Sequence, residues 1–320
     1  MKTTQNTHYI GIDISKDKID VHSSNWKSTQ TFENNLRGFS RLSTQLAQSS
    51  PSSVTHIVCE ATGGYEAKLI KYALSTGMAA SVVNPKKVRD FAKAAGRLAK
   101  TDAIDAEVIT LFAECFKPLP IEAKSKEQEA LQLAVRRRAR LVRMRSAEKN
   151  ALEKTSDKFI KGDIEVNIRH LSRRIVRLEE HIANIVQNNA TFREKSQRMC
   201  EIVGVGSVIA STVLAELPEL GRITNKQASS LVGLAPFNND SGARRGARTT
   251  LGGRQLMRRT LYAPILSATQ HNPIFKEFYY RLKAAGKPHH VAAVAVMRKL
   301  ICLLNRLLSD PGFQPISRPS

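Results

Sequence analysis

Of the residues that anchor several common kinds of site, this chain of 320 has few. Its four cysteines, Cys59, Cys115, Cys200 and Cys302, form no Cys-x-x-Cys, and its eight histidines stand in no zinc-ligand spacing with them. That excludes a zinc-finger or disulfide scaffold. No apolar run is long enough to span a bilayer. The longest, residues 291–308, is interrupted by Arg298, Lys299, Asn305 and Arg306 and reads as a buried helix. Residues 1–8 are polar and lead straight into a strand, so no secretory signal is expected. These absences predict a reduced, cytoplasmic protein with no membrane partner. Acidic residues are also short in supply: 28 against 50 Lys plus Arg, a net charge of +22 and a pI of 10.1. Such an excess is the footprint of a polyanion binder. It is uneven, with 15 basic and 11 acidic side chains in residues 1–120, 19 and 11 in 121–200, and 16 and 6 in 201–320.

What the least basic third does contain is four carboxylates in a telling order. Asp13 lies near the end of the β-branched run 9–14 and Glu60 follows the run 54–59, both interrupting apolar stretches where a charge is costly without a partner. Asp102 and Asp105 are three apart on an expected helix and so share a face. Taken singly, each acid also fits a turn or a helix cap. Jointly, two strand ends and one helix face can bring four hard oxygen donors around one point, a set suited to Mg²⁺ or Mn²⁺.

Hydrophobic period sets the organisation. Short strands are expected at residues 9–14, 19–23 and 31–32, then helix 36–48, strand 54–59, helix 65–75, strand 80–83 stopped by Asn84-Pro85, helix 86–95, and the helix bearing Asp102. Strands first, then alternating strand and helix, predict a mixed α/β layer fold of the ribonuclease H kind over residues 1–120. Residues 121–199 form an expected helical linker. Leu171, Ile175, Leu178, Ile182 and Ile185 step by four, three, four and three, the spacing of an antiparallel coiled-coil hairpin. Its first helix is expected over 125–154, with a break near Lys161-Gly162-Asp163. Residues 200–320 form an expected, mostly helical C-terminal domain.

Three basic or glycine-bearing segments point to nucleic acid. Arg136, Arg137 and Arg138, with Arg140, Arg143 and Arg145, put six arginines in ten residues without an acid. Gly204 and Gly206, followed by an apolar helix, suggest a helix-hairpin-helix whose second helix offers backbone N–H groups to a phosphate. Ser241 lies in a turn-rich segment with Arg244, Arg245 and Arg248 close behind. A hydroxyl there can attack a phosphodiester while guanidiniums hold the non-bridging oxygens, although Ser-Gly is also an ordinary turn dipeptide.

The motifs around Asp13, Glu60 and Asp102–Asp105, the Gly204–Gly206 turn, Gly233-Leu-Ala-Pro, Ser241-Gly242, Gly252-Gly253 and Arg258-Arg259 occur together in this order. In that set the chain resembles an insertion-sequence transposase family that includes the Piv-type pilin-gene invertases, over roughly residues 8–308. The resemblance implies a RuvC-like N-terminal domain with an Asp-Glu-Asp-Asp metal site at Asp13, Glu60, Asp102 and Asp105. It further implies a coiled-coil linker and a C-terminal transposase domain with Ser241 as nucleophile. It also implies DNA as substrate and, in some members, a structured guide RNA; because exchange needs two duplexes cleaved on a timed schedule, a dimer or tetramer is expected. Site-specific DNA recombination, most of all transposition, is therefore the expected function. Inversion by the same chemistry, a metal-dependent junction resolvase or nuclease, and a non-enzymatic nucleic-acid scaffold are the alternatives.

Overall fold

The structure, a computed structural model, describes residues 7–49, 54–97, 102–237, 240–241, 244–245 and 249–314. The chain divides into two compact units, residues 1–123 and 124–320.

In the first unit β1 (Thr7–Ile14), β2 (Lys18–Ser23) and β3 (Gln30–Glu33) make an antiparallel meander. On the other side of β1, β4 (Val54–Glu60) and β5 (Ala79–Val83) add in parallel, giving the order β3-β2-β1-β4-β5. Side chains alternate between the two faces of each strand. Ile10, Ile12, Ile14, Ile57 and Cys59 face α1 (Leu36–Ser49) and α2 (Ala67–Ser75), closing one core layer through Phe39, Leu42 and Leu69. Val58 and Val83 face α3 (Pro85–Ala94) and α4 (Asp102–Phe116) through Val88, Val108, Ile109 and Phe112. This is a mixed α/β layer fold, consistent with the ribonuclease H-like architecture expected. Asn84 starts α3 by accepting a hydrogen bond from the Lys86 amide at 2.8 Å, with Pro85 at the first helical position.

The second unit begins with α5 (Lys126–Lys154) and α6 (Lys158–Asn188), helices of 29 and 31 residues that lie antiparallel. Leu141 packs against Leu171 and Ile175 across the pair, and Asn167 donates to Glu148 farther out. The break between them is not at residues 161–163. It lies at 155–157, where the Asp157 carboxylate accepts from the Ile160 amide and starts α6, so that Gly162 runs inside the helix. A good cap is worth about 1 kcal/mol, enough to offset a mid-helix glycine of similar cost. Then come α7 (Ala190–Cys200), α8 (Ser207–Glu216), α9 (Asn225–Val232), a short ribbon, α10 (Gln255–His271), α11 (Pro273–Ala284) and α12 (His289–Ser309). Leu131, Val135, Ile182 and Val186 of the hairpin share one core with Val213, Leu261, Val296 and Leu300, so hairpin and C-terminal helices pack as one body. The long apolar run near the C-terminus is α12, and among the described residues no helix is long and apolar enough to cross a membrane.

Candidate active site

Gly11 decides where the acidic edge forms. A Cβ there would overlap the Ala106 carbonyl and Thr110, so only glycine lets α4 lie backbone to backbone on β1. The Gly11 amide donates to Thr110 Oγ1 at 3.0 Å, and the same hydroxyl stands 3.0 Å from His22 Nδ1 on β2. Residues 106–110 thus sit over the middle of β1, while Glu114 lies near enough to influence His8 at its start. Helix α4 therefore runs antiparallel to β1, and its first turn, carrying Asp102 and Asp105, reaches the end where Asp13 lies. The β1–β4 register matches Ile12 with Cys59, which leaves Asp13 and Glu60 side by side at the two strand ends. Both fall on the α4 face, two residues beyond Gly11 and Val58. Asp13, Glu60 and Asp105 are each half-buried. Asp102 opens α4, but its side chain lies outside what is described. Among the described residues no three His, Cys, Asp or Glu side chains stand close enough to hold an ion between them. What supports metal binding here is the donor type, all hard carboxylate oxygen, and the common edge.

Sequence reasoning missed two residues next to this edge. Asp20 is directly across from Asp13 on β2 and is buried; it accepts from Thr31 Oγ1 and pairs with Lys18 Nζ at 3.1 Å. Its signal was the i, i+2 spacing of Lys18 and Asp20, visible once the strand is assigned. Glu66 organises the turn that follows Glu60. Its Oε2 accepts from Thr62 Oγ1 and the Gly64 amide, both at 2.8 Å, and from the Thr62 amide at 3.3 Å. Burial alone would raise its pKa, but these hydrogen bonds hold it below the usual carboxylate range. Burial, with the Glu66 and Glu60 charges beyond it, pushes the adjacent Cys59 thiol up to about 12, so it is a packing residue and not a nucleophile.

Ser241 sits in the second unit on a ribbon of two short antiparallel strand pairs. Pro236–Phe237 pairs antiparallel with Thr249–Thr250, and beyond it Asp240–Ser241 pairs with Arg244–Arg245, placing Ser241 opposite Arg244. The side chains of Ser241, Arg244 and Arg245 are not described, and Arg248 lies outside the described residues. The root of the ribbon is built with care. Gly233, left-handed at the end of α9 (φ 73°), meets Gly252 and Gly253 so closely that a Cβ on Gly233 or Gly253 would overlap backbone. Arg258 donates to the Gly252 carbonyl at 2.9 Å, and the Arg254 amide to the Leu231 carbonyl at 2.7 Å. The Arg254 guanidinium also holds both oxygens of Glu219 at 2.6 and 2.7 Å. Gly233, Gly252, Gly253 and Arg258 entered the sequence reading only as motif members, and Arg254 did not enter it.

A groove of about 990 Å³ runs between α5, the turn before α8, and the start of α10. Gly204 (φ 97°) and Gly206, the N-cap of α8, form one wall, and Arg136, Arg143, Arg254 and Arg259 contribute cations. The arginine run is split by its helix. Arg136 forks onto buried Glu216 at 2.6 and 3.0 Å, an interaction that raises its pKa. Arg138 pairs with Glu179 at 2.6 Å. Arg137 is exposed and faces elsewhere. Acids on distant elements, invisible in a local window, thus engage two of the three. Arg143 and Arg259 make no ion pair among the described residues and are the groove's available cations.

Residues 10–159 match a transposase family model for DEDD transposases of IS110, and residues 196–280 match the transposase IS116/IS110/IS902 family. The chain is 28% identical over 303 residues to the pilin gene-inverting protein of Moraxella bovis, covering 92% of this chain and 94% of that protein. The same identity and coverage hold for the pilin gene-inverting protein of Moraxella lacunata. A probable family 20 transposase of Pseudomonas aeruginosa is 24% identical over 271 residues, covering 74% of this chain and 76% of that protein.

Proposed function

Because the chain belongs to the IS110/IS116 transposase family, which includes the pilin gene-inverting proteins, we propose that this DNA recombinase works through a covalent serine–phosphate intermediate formed at Ser241. The observation that carries the reading is the convergence of Asp13, Glu60 and the first turn of α4 on one face and one edge of the sheet, in a chain that also presents Ser241 opposite Arg244.

In this reading the Ser241 Oγ attacks a backbone phosphorus. A P–Oγ bond forms and one P–O bond to deoxyribose breaks; the serine proton passes to water, and the departing deoxyribose oxygen takes one up. Reverse attack by a hydroxyl of the incoming strand restores the serine, so the phosphodiester is exchanged without hydrolysis. Arg244, Arg245 and Arg248 would neutralise the non-bridging oxygens. Asp13, Glu60, Asp102 and Asp105 would hold Mg²⁺ or Mn²⁺. When bound, the ion supplies positive charge against the phosphate and the leaving oxygen. The positive end of α4 favours the carboxylates of its own first turn. The groove between α5 and α8 would take a nucleic-acid backbone against Arg143, Arg259 and the amides near Gly204 and Gly206. Strand exchange requires two duplexes, so a dimer or tetramer, with a coiled-coil linker at residues 121–199 as contact, belongs to the proposal. So does a guide RNA.

Transposition is the first reading. Inversion is the second, favoured by the 92% coverage of this chain in the match to the pilin gene-inverting proteins. The experiment that tests the chemistry incubates the protein with its element-end DNA and Mg²⁺, denatures it, and maps any DNA-linked peptide by mass spectrometry. Linkage within residues 237–244 is expected, and its loss together with recombination in Ser241→Ala. Hydrolysed ends with no adduct would return the chain to the nuclease reading.

A further inference from the structure

We infer that the helical hairpin carries a phosphodiester subsite of its own, in a cleft of about 370 Å³ between α5 and α6 lined by Arg137, Arg174, Arg177 and His181. The inference rests on the nucleic-acid reading above but concerns a different surface. Arg136 and Arg138 line the groove toward α8, whereas Arg137 lines this second cleft, so α5 shows cations on two sides. On α6, residues 174, 177 and 181 step by three and four and stand in one row. That row spans roughly 10 Å at 1.5 Å per residue, comparable to about three phosphates of one strand along a duplex axis. Leu141 and Leu178 form an apolar floor that fixes the stems of the arginines.

The charges of this cleft are unanswered from within. Among the described residues none of Arg137, Arg174 and Arg177 forms an ion pair: Glu179 is held by Arg138 and Glu165 by Arg169, while exposed Glu180, one turn beyond Arg177 along α6, pairs with none of the three. Three planar guanidinium forks side by side repel one another, and that repulsion is relieved by an anion with several acceptor oxygens. A single free phosphate would satisfy one fork. Successive phosphates on a nucleic-acid strand would satisfy the row.

The test uses the full chain and two probes of equal length, duplex DNA and duplex RNA, with affinity measured across a salt series. A cleft variant carries Arg137→Gln, Arg174→Gln and Arg177→Gln. A control removes the same charge from the exposed hairpin tip with Lys154→Gln, Lys158→Gln and Lys161→Gln. Each phosphate contact contributes about 0.9 to the slope of log affinity against log salt. The cleft variant should therefore lose about two to three from that slope, and at least tenfold in affinity, on the probe the cleft engages. The tip variant should lose less than about one. Replacing the same three arginines by Lys should restore the slope but not the full affinity, which a fold defect would not do. Equal slopes in cleft and tip variants, or a wild-type slope in the cleft variant on both probes, would overturn the subsite while leaving the recombinase reading intact. Failure of the wild-type chain to bind either probe would sink the nucleic-acid reading as well.

Discussion

Gly233 and Gly253 meet backbone to backbone at the root of the ribbon that carries Ser241, and both are in the left-handed region, with φ of 73° and 78°. No other residue type fits at either point, because a Cβ on one would overlap the main chain of the other segment. The contact ties the end of α9 to the start of α10, and so fixes both legs of the ribbon.

Gly252 provides the control for that contact. It too has a positive φ, 67°, but a Cβ there would meet open space. Alanine at either position carries the left-handed penalty of about 1–2 kcal/mol. Only at Gly253 is steric overlap added, typically about 1–3 kcal/mol. Gly253→Ala should lower the denaturant midpoint of the second unit more than Gly252→Ala does, and should abolish recombination. Equal midpoints for the two variants would show that the close approach is not a constraint.

The acids at the sheet edge should be separable from folding. Asp13→Asn, Glu60→Gln, Asp102→Asn and Asp105→Asn each keep volume and remove charge from half-buried or helix-first-turn positions. Recombination should drop by at least about a hundredfold, with the far-UV spectrum and DNA affinity close to wild type. Chelator should have the same effect on the unaltered chain, reversed by Mn²⁺. Retained activity in chelator would remove the metal-site assignment.

Much of this arrangement was legible in the sequence. The β-branched runs ending near Asp13 and Glu60 gave strands β1 and β4 nearly to the residue, and the three-residue spacing of Asp102 and Asp105 matched the first turn of α4. The antiparallel seam at Leu171, Ile175 and Leu178 was visible as a heptad. What could not be read depended on partners far along the chain. Arg136 looked available because Glu216 lies 80 residues away. Gly162 looked like a break because nothing local advertised how well Asp157 caps α6. The shared core of hairpin and C-terminal helices likewise depends on Leu131 meeting residues more than 70 positions later, which no change of composition at residue 199 reveals.

The arginine run should divide in a stability experiment. Glu216 is only 5% exposed, and Arg136 is its bidentate partner. Arg136→Ala leaves a buried carboxylate without that partner and should cost about 1–3 kcal/mol. Arg137→Ala removes an exposed cation that makes no ion pair among the described residues and should change stability by less than about 0.5 kcal/mol, while it weakens nucleic-acid binding. Comparable destabilisation by both variants would mean that Glu216 does not depend on Arg136.

Three histidines make the first unit sensitive to acid. Burial lowers the pKa of His8, His22 and His56 from the ordinary 6.5; only Glu114 for His8, and Glu107 and Glu114 for His22, pull the other way. His8 and His56 are nearly inaccessible and hydrogen-bond to Ser23 and Ser81 at 2.9 and 2.8 Å. Between the lowered folded value and 6.5 the unfolded chain binds more protons, so stability rises with pH in that window. The contribution is complete above the unfolded value and is lost as pH falls through it toward the folded one. Trp26, the one tryptophan, packs against the first unit's core and reports its unfolding selectively. The denaturant midpoint followed by its fluorescence should fall between about pH 7.5 and about pH 5.5, the range where histidine titrates. His56→Gln should shrink that fall, because an amide can still meet Ser81 but has no proton to gain. A midpoint flat across this range, or an unchanged fall in His56→Gln, would show that the buried imidazoles do not govern the unit's acid response.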